Sequence, residues 1–344
     1  MFNRALDGSM GGMRGWAAGL TLVLAATWSA SSIAQTPTTA HLPRIGFVAP
    51  GDATAVLNLP NWKALFAGLA DLGLIEGRDF KLEVRSTLGN PERFEPLTQE
   101  LVNSRVDLLL AGVCGAPLDA ARHATQTIPI VVPTCNDDLV DLGIIKSLNH
   151  PGGNITGLTK LTPELAPKRL QLLLQAVPKA RRVVVLWNPA YSAFKSDWRE
   201  LRVGADKLGV TLLPVEFRRP DDLEGAFATA AGLHPDALMM FSDSLGYIFA
   251  PRVAKLASEH HLPGMFAFRE VPDSGGLMSY GPSIPGMWRE SARLIARVLR
   301  GEKAGDLPME QPTRFELAIN LKTAKALGLT VPQELLLRAD AVIE

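Results

Sequence analysis

No excess of one charge runs through this sequence: 35 Lys and Arg balance 35 Asp and Glu across 344 residues, with no block of like charge. Nothing therefore calls for nucleic acid or an anionic membrane surface as a partner held by bulk electrostatics. The usual catalytic signatures are missing as well. The first β-rich run reads Gly46-Phe47-Val48-Ala49-Pro50-Gly51-Asp52 with no GxGxxG after it, and no GxSxG, Walker-type loop or HExxH occurs. Glu259-His260-His261 sits where a helix should end before Leu262-Pro263, a position where a histidine serves as a dipole partner. Cys114 and His123 have no evident third member for a catalytic group, and an enzyme is not expected. Long apolar runs are confined to the N-terminus, so no later segment is expected to cross a bilayer.

That N-terminal segment has its own logic. Arg4 and Arg14 precede the apolar run Trp16 to Ala30, and Ser32-Ile33-Ala34 follows. This is the layout of a cleavable secretory signal, residues 1–34, cut after Ala34. The run is shorter than the roughly 20 residues a membrane span needs. It holds no cysteine, so a lipid-anchored cut is not expected, and the mature chain should be periplasmic.

From Pro43 onward, β-rich runs and helix-period segments take turns. "RIGFVA" is followed by "NWKALFAGLADLG", which puts Trp62, Leu65, Phe66 and Leu69 on one face, with Asn61 as cap and Gly73 as stop. "FKLEVRS", "VDLLLA" and "IPIVVP" continue the series, with helices near Pro91–Asn103, from Pro117 and near Leu139–Leu148. "RRVVVLW", "VTLLPVEF", "DALMMFS" and "LPGMFAF" repeat the plan in the second half. Continuously apolar strands alternating with helices imply parallel strands buried on both faces and right-handed crossovers. Two interruptions, "NHPGGNITGLT" and "GGLMSYGPS", and the polar linker "GEKAGDLPMEQPT" break the rhythm. They are read as crossings between two bodies. The expected fold class is α/β: two doubly wound, Rossmann-like lobes joined by three hinge crossings. Residues 43–155 with about 282–305 form the first lobe, and 156–281 with about 312–344 form the second.

Several blocks carry a resemblance. "EGRDFKLEVR" (76–85), "IPIVVPTCNDDLVDLGIIKSLNHPGGNITGLT" (128–159), "KRLQLLLQAVPKARRVVVLWNP" (168–189), "GGLMSYGPS" (275–283) and the sequence from Glu310 to the end resemble the ABC-transporter substrate-binding family. The resemblance covers nearly everything after residue 43, in order. It implies a type I periplasmic binding fold, a small ligand such as an amino acid or other small carboxylate trapped between the lobes, and hinge closure read by a membrane permease. No cofactor, no metal and a monomer are expected. A sensing module for a membrane signalling partner is the alternative role. Two departures fall in the presumed cleft: Gly115-Ala116-Pro117 where the family tends to show Gly-Thr-Pro, and Cys135-Asn136-Asp137-Asp138-Leu139 where it tends to show Ser-Val-Gly-Asp-Pro.

In open α/β sheets ligands lie beyond the carboxyl ends of strands, where helix N-termini favour a carboxylate. Reading strand ends in order gives Gly51, Asp52, Gly115, Ala116, Thr134, Asn136, Asp138, Asn188, Tyr191 and Asp243, with the crossing residue Tyr280. Asp243 follows the buried run "DALMMF" and either pairs with a ligand ammonium or caps the next helix. Asn188 either meets the ligand or fixes the turn before Pro189. Tyr191 and Tyr280 could stack on a ring or donate a hydroxyl. Asp137 and Asp138 are read as a solvated loop rather than a metal site. Cys114 and Cys135 should end neighbouring strands roughly 4.8 Å apart. Two reduced thiols are the default there, and a bridge requires suitable side-chain directions.

Overall fold

The computed structural model describes residues 42–160, 165–189 and 194–344. Residues 1–34, expected to be a secretory signal, and Tyr191 lie outside the described residues. Two sheets organise the chain. The first is built from β1 (Arg44–Ala49), β2 (Lys81–Ser86), β3 (Leu108–Leu110), β4 (Ile130–Cys135) and β5 (Ile155–Thr159), all parallel, in the order β2-β1-β3-β4-β5. The second holds β6 (Arg182–Trp187), β7 (Thr211–Glu216), β8 (Ala237–Met240), β9 (Gly264–Phe266), β10 (Met278–Gly281), β11 (Glu316–Asn320) and β12 (Ala341–Ile343), in the order β12-β11-β10-β9-β8-β6-β7. Among the described residues, only the β10–β11 pairing is antiparallel. β3, β4 and β8 are buried along their whole length, as strands covered by helices on both faces must be.

The chain passes between the sheets three times. It leaves the first after Thr159, returns after β10 into the helix Ile284–Leu299, and goes back through Glu310 to β11. Ser283 caps that returning helix, its Oγ accepting from Gly286 N at 3.2 Å. Ile284, Trp288, Ala292 and Ile295 form its buried stripe, at the three- and four-residue spacing of one helical face. The stripe packs on the helix Pro60–Asp71 so closely that a Cβ on Gly68 would stand 2.7 Å from the Arg289 carbonyl. "GGLMSYGPS" is thus the edge of a sheet turning into a crossing: its centre is β10, and its Ser283 starts a helix of the other lobe. Gly281 is required there, because a Cβ would fall 2.1 Å from the Ala267 carbonyl.

Several expectations need correction. The change of sheet does not fall at 155–156, since β5 pairs with β4 as a fifth strand of the first sheet. The apolar run is a buried strand, and Gly157 lets it approach Val132 more closely than any Cβ would allow. No helix forms over 139–148. Asp138 Oδ1 accepts from Val140 N and Asp141 N and ties that segment into turns, and Gly143 takes φ +67°. Asn61 is not a cap, because the helix begins at Pro60, a residue suited to the first helical position. β12 is an additional edge strand. Finally, Cys114 and Cys135 are not reduced thiols but a disulfide, with Cα atoms 5.0 Å apart. The ends of β3 and β4 converge within bridging range.

Candidate functional site

The carboxyl ends of the strands open onto two adjoining chambers between the lobes. The outer one, of about 270 Å³, is lined from the first lobe by Val113, Cys114, Gly115, Thr134, Asn136 and Asp137, and from the second by Asn188, Arg218, Asp243 and Leu245, with Lys160 at the crossing. The inner one, of about 170 Å³, is walled by Phe47, Trp62, Tyr247 and Trp288 and shares Val113, Thr134 and Lys160 with the outer.

The first-lobe wall is held rigidly. The disulfide ties the loop after β3 to the end of β4. Gly115 adopts φ +82° to start the helix Ala116–Ala124, a backbone conformation that glycine takes without a Cβ clash. Thr134 Oγ1 donates to the Gly112 carbonyl at 3.3 Å. Asn136 reaches across the cleft, its Nδ2 donating to the Ser242 carbonyl at 3.0 Å, while its Oδ1 is buried without a partner.

In the second lobe, Asp243 takes the capping role its position allowed and also meets Asn188. Its Oδ1 caps the short helix Ser244–Ile248 by accepting from Leu245 N at 2.7 Å, and its Oδ2 accepts from Asn188 Nδ2 at 3.1 Å. Both residues are only 7% exposed. Burial pushes the Asp243 carboxyl above its ordinary range, against the Leu245 N–H, the Asn188 amide and the Lys160 charge. Lys160 shows the complementary effect: burial, with the Arg169 charge, draws its ammonium down to about 7, although Asp243 and Glu270 oppose the shift. Its Nζ lies 4.8 Å over the Phe268 ring, and its backbone N–H donates to the Cys135 carbonyl at 2.6 Å. Glu270 is likewise pushed up, chiefly by burial.

The structure brings Gly115, Thr134, Asn136, Asn188 and Asp243 together in one chamber. Other expected residues lie elsewhere. Asp52 is exposed and caps the helix Ala53–Leu57, accepting from Ala55 N at 2.8 Å, and the Gly51 carbonyl accepts from Ser86 Oγ. Ala116 is the first residue of its helix and lines neither chamber. Asp138 caps a turn. Tyr280 lines neither chamber: its ring lies 6.1 Å from the Phe315 ring, and its carbonyl accepts from Arg169 Nε at 2.6 Å. Sequence reasoning missed Lys160, Arg218 and the aromatic wall. Lys160 carried the signal that identified Asp243, a charge directly after a buried strand, but that strand had been read as a crossing.

A profile of the family described as ABC transporter substrate binding protein matches residues 59–343. The chain belongs to that family. It is 27% identical over 267 residues to a tyrosine-binding protein of Clostridioides difficile, covering 78% of this chain and 76% of the relative. A conserved domain protein from Vibrio cholerae superposes with TM-score 0.78 at 25% identity, over 87% of this chain and 99% of that one. An ABC domain from Streptococcus pneumoniae in complex with L-Trp superposes with TM-score 0.78 at 22% identity, over 88% of this chain and all (100%) of that one. The architecture is that of type I periplasmic binding proteins.

Proposed function

We propose that this substrate-binding protein captures an aromatic α-amino acid between its lobes and delivers it unaltered to an ABC permease. The observation that carries the reading is the pairing of the chambers: a polar one holding both signs of buried charge opens beside an aromatic one. The ligand's ammonium pairs with Asp243 and the unpartnered Asn136 Oδ1. Its carboxylate pairs with Lys160, which lines both chambers. Its side chain enters among Phe47, Trp62, Tyr247 and Trp288. A zwitterion relieves the desolvation of both protein charges at once, which a neutral solute cannot do. The names of the tyrosine-binding relative and the L-Trp complex support the same class.

The jaws in this reading are residues 42–159 with 282–310 and residues 165–281 with 312–344. Closure is stabilised by contacts from both: the Asn136–Ser242 hydrogen bond, and the packing of Ala267 and Phe268 with Phe47 and Trp62 in one apolar cluster. A ligand that binds the closed form more tightly shifts the population toward it, and the permease reads the joined surface. Export through residues 1–34 places the mature chain, as a monomer, in the periplasm.

Calorimetry of the mature protein against a panel of amino acids tests this. Binding by aromatic members with one site per chain is expected. A panel in which no amino acid binds would discard the reading.

A further inference from the structure

Among the described residues, every buried side-chain polar atom without a hydrogen-bond partner belongs to a residue of the cleft wall. Asn136 Oδ1 is on a residue lining the outer chamber, and Asn61 Oδ1 and Trp62 Nε1 are on residues lining the inner one. Trp62 is 1% exposed and Asn61 6%. Both begin the helix Pro60–Asp71, which contributes nothing to the outer chamber, so they mark a different part of the cleft from Asp243. The rings nearest Trp62 are Phe47 and Trp288, at centroid distances of 4.6 and 5.1 Å, and neither offers an acceptor to Trp62 Nε1–H or a donor to Asn61 Oδ1 within hydrogen-bond reach.

An unpaired buried donor or acceptor costs about 1–3 kcal/mol. Keeping one of each in a mostly apolar wall is costly unless a bound molecule meets them. The free groups are an N–H that donates and a carbonyl oxygen that accepts. A hydroxyl is the smallest substituent able to serve either, accepting from Trp62 Nε1–H and donating to Asn61 Oδ1. Size adds a second restriction. An apolar cavity of about 150 Å³ takes one benzene, so this chamber of about 170 Å³ fits a single six-membered ring with one small substituent and is tight for a bicyclic ring.

We propose that Asn61 and Trp62 form a subsite for a hydroxyl on the ligand's ring, making the cleft selective for a phenol over the unsubstituted ring. The inference rests on the aromatic amino-acid reading above and names the member of that class.

Calorimetry of the mature chain with L-tyrosine, L-phenylalanine and L-tryptophan tests it. Tyrosine is expected to bind at least about 30-fold more tightly than phenylalanine, within what a site built around a hydroxyl achieves. Asn61→Leu and Trp62→Phe, each checked for a cooperative melt, should narrow that ratio about tenfold or more. In a ¹H–¹⁵N spectrum, the Trp62 indole N–H signal should move with tyrosine and stay near its free position with phenylalanine. Equal affinities for tyrosine and phenylalanine, or an undiminished ratio in Asn61→Leu, would overturn the subsite while leaving solute capture intact. If none of the three amino acids binds, both statements fall together.

Discussion

Lys160 makes ligand affinity depend on pH in a way that separates its role from that of every other cleft residue. Its ammonium is drawn down to about 7 in the ligand-free protein, so raising the pH through neutrality empties the site of the cation that meets the ligand carboxylate. A bound carboxylate holds the proton on, and affinity should therefore fall about tenfold per pH unit above 7, each unit being about 1.4 kcal/mol. Between pH 6 and 8.5 the factor is about 30, or roughly 2 kcal/mol. The carboxyls facing Lys160, Asp243 and Glu270, are pushed up by burial but titrate with the opposite sign, since losing a proton favours the ligand ammonium. Burial moves the Tyr247 hydroxyl upward, away from this window. The assay is calorimetric titration of L-tyrosine across that range for the wild type and for Lys160→Met. The wild type should weaken with pH, and the variant should bind more weakly and with a flat profile. A flat wild-type profile, or an unchanged slope in Lys160→Met, would refute the assignment.

Other perturbations have defined outcomes. The same shift acts on folding: the folded pKa of Lys160 lies below its unfolded value of 10.5, so the unfolded chain binds more protons between about 7 and 10.5. Stability without ligand should therefore rise with pH over that interval in urea titrations, and Lys160→Met should remove the rise. Asp243→Ala should weaken amino-acid binding by at least about 1–3 kcal/mol and lower stability by about 1 kcal/mol through the lost cap; an unchanged dissociation constant would remove Asp243 from the site. Reducing the Cys114–Cys135 bridge, which spans a sequence separation of 21, should cost about 3 kcal/mol in urea unfolding, with ligand affinity falling because the first-lobe wall loosens. Gly281→Ala should depress the melting temperature by well over the few degrees of a surface change, since its Cβ meets the Ala267 carbonyl at 2.1 Å.

The alternation of continuously apolar strands with helices was enough to read two α/β lobes and three crossings, because burial on both faces writes itself into composition. Asp243 and Asn188 were legible for a related reason: a polar residue straight after a buried strand has few places to point except the cleft. The aromatic wall was not legible. Trp62 and Trp288 recur at the helical spacing of core residues, and periodicity cannot separate a ring facing the core from one facing a chamber that only the fold creates. The strand β5 escaped because five residues between Pro-Gly-Gly and a lysine look like a crossing when the partner β4 is not in view, and Lys160 was lost with it. The disulfide depended on side-chain directions that spacing does not encode. Asp52, Asp138 and Tyr280 were expected in the site for standing near strand ends, yet local turns and caps engage the two carboxylates and Tyr280 lines neither chamber.

Hydrogen–deuterium exchange with and without saturating L-tyrosine tests capture between the lobes most directly. The account predicts that Thr134–Asp137 of the first lobe and Asp243–Leu245 of the second gain protection together, at one ligand concentration. Protection confined to one of these segments, or absent from both while the ligand is bound, would contradict it.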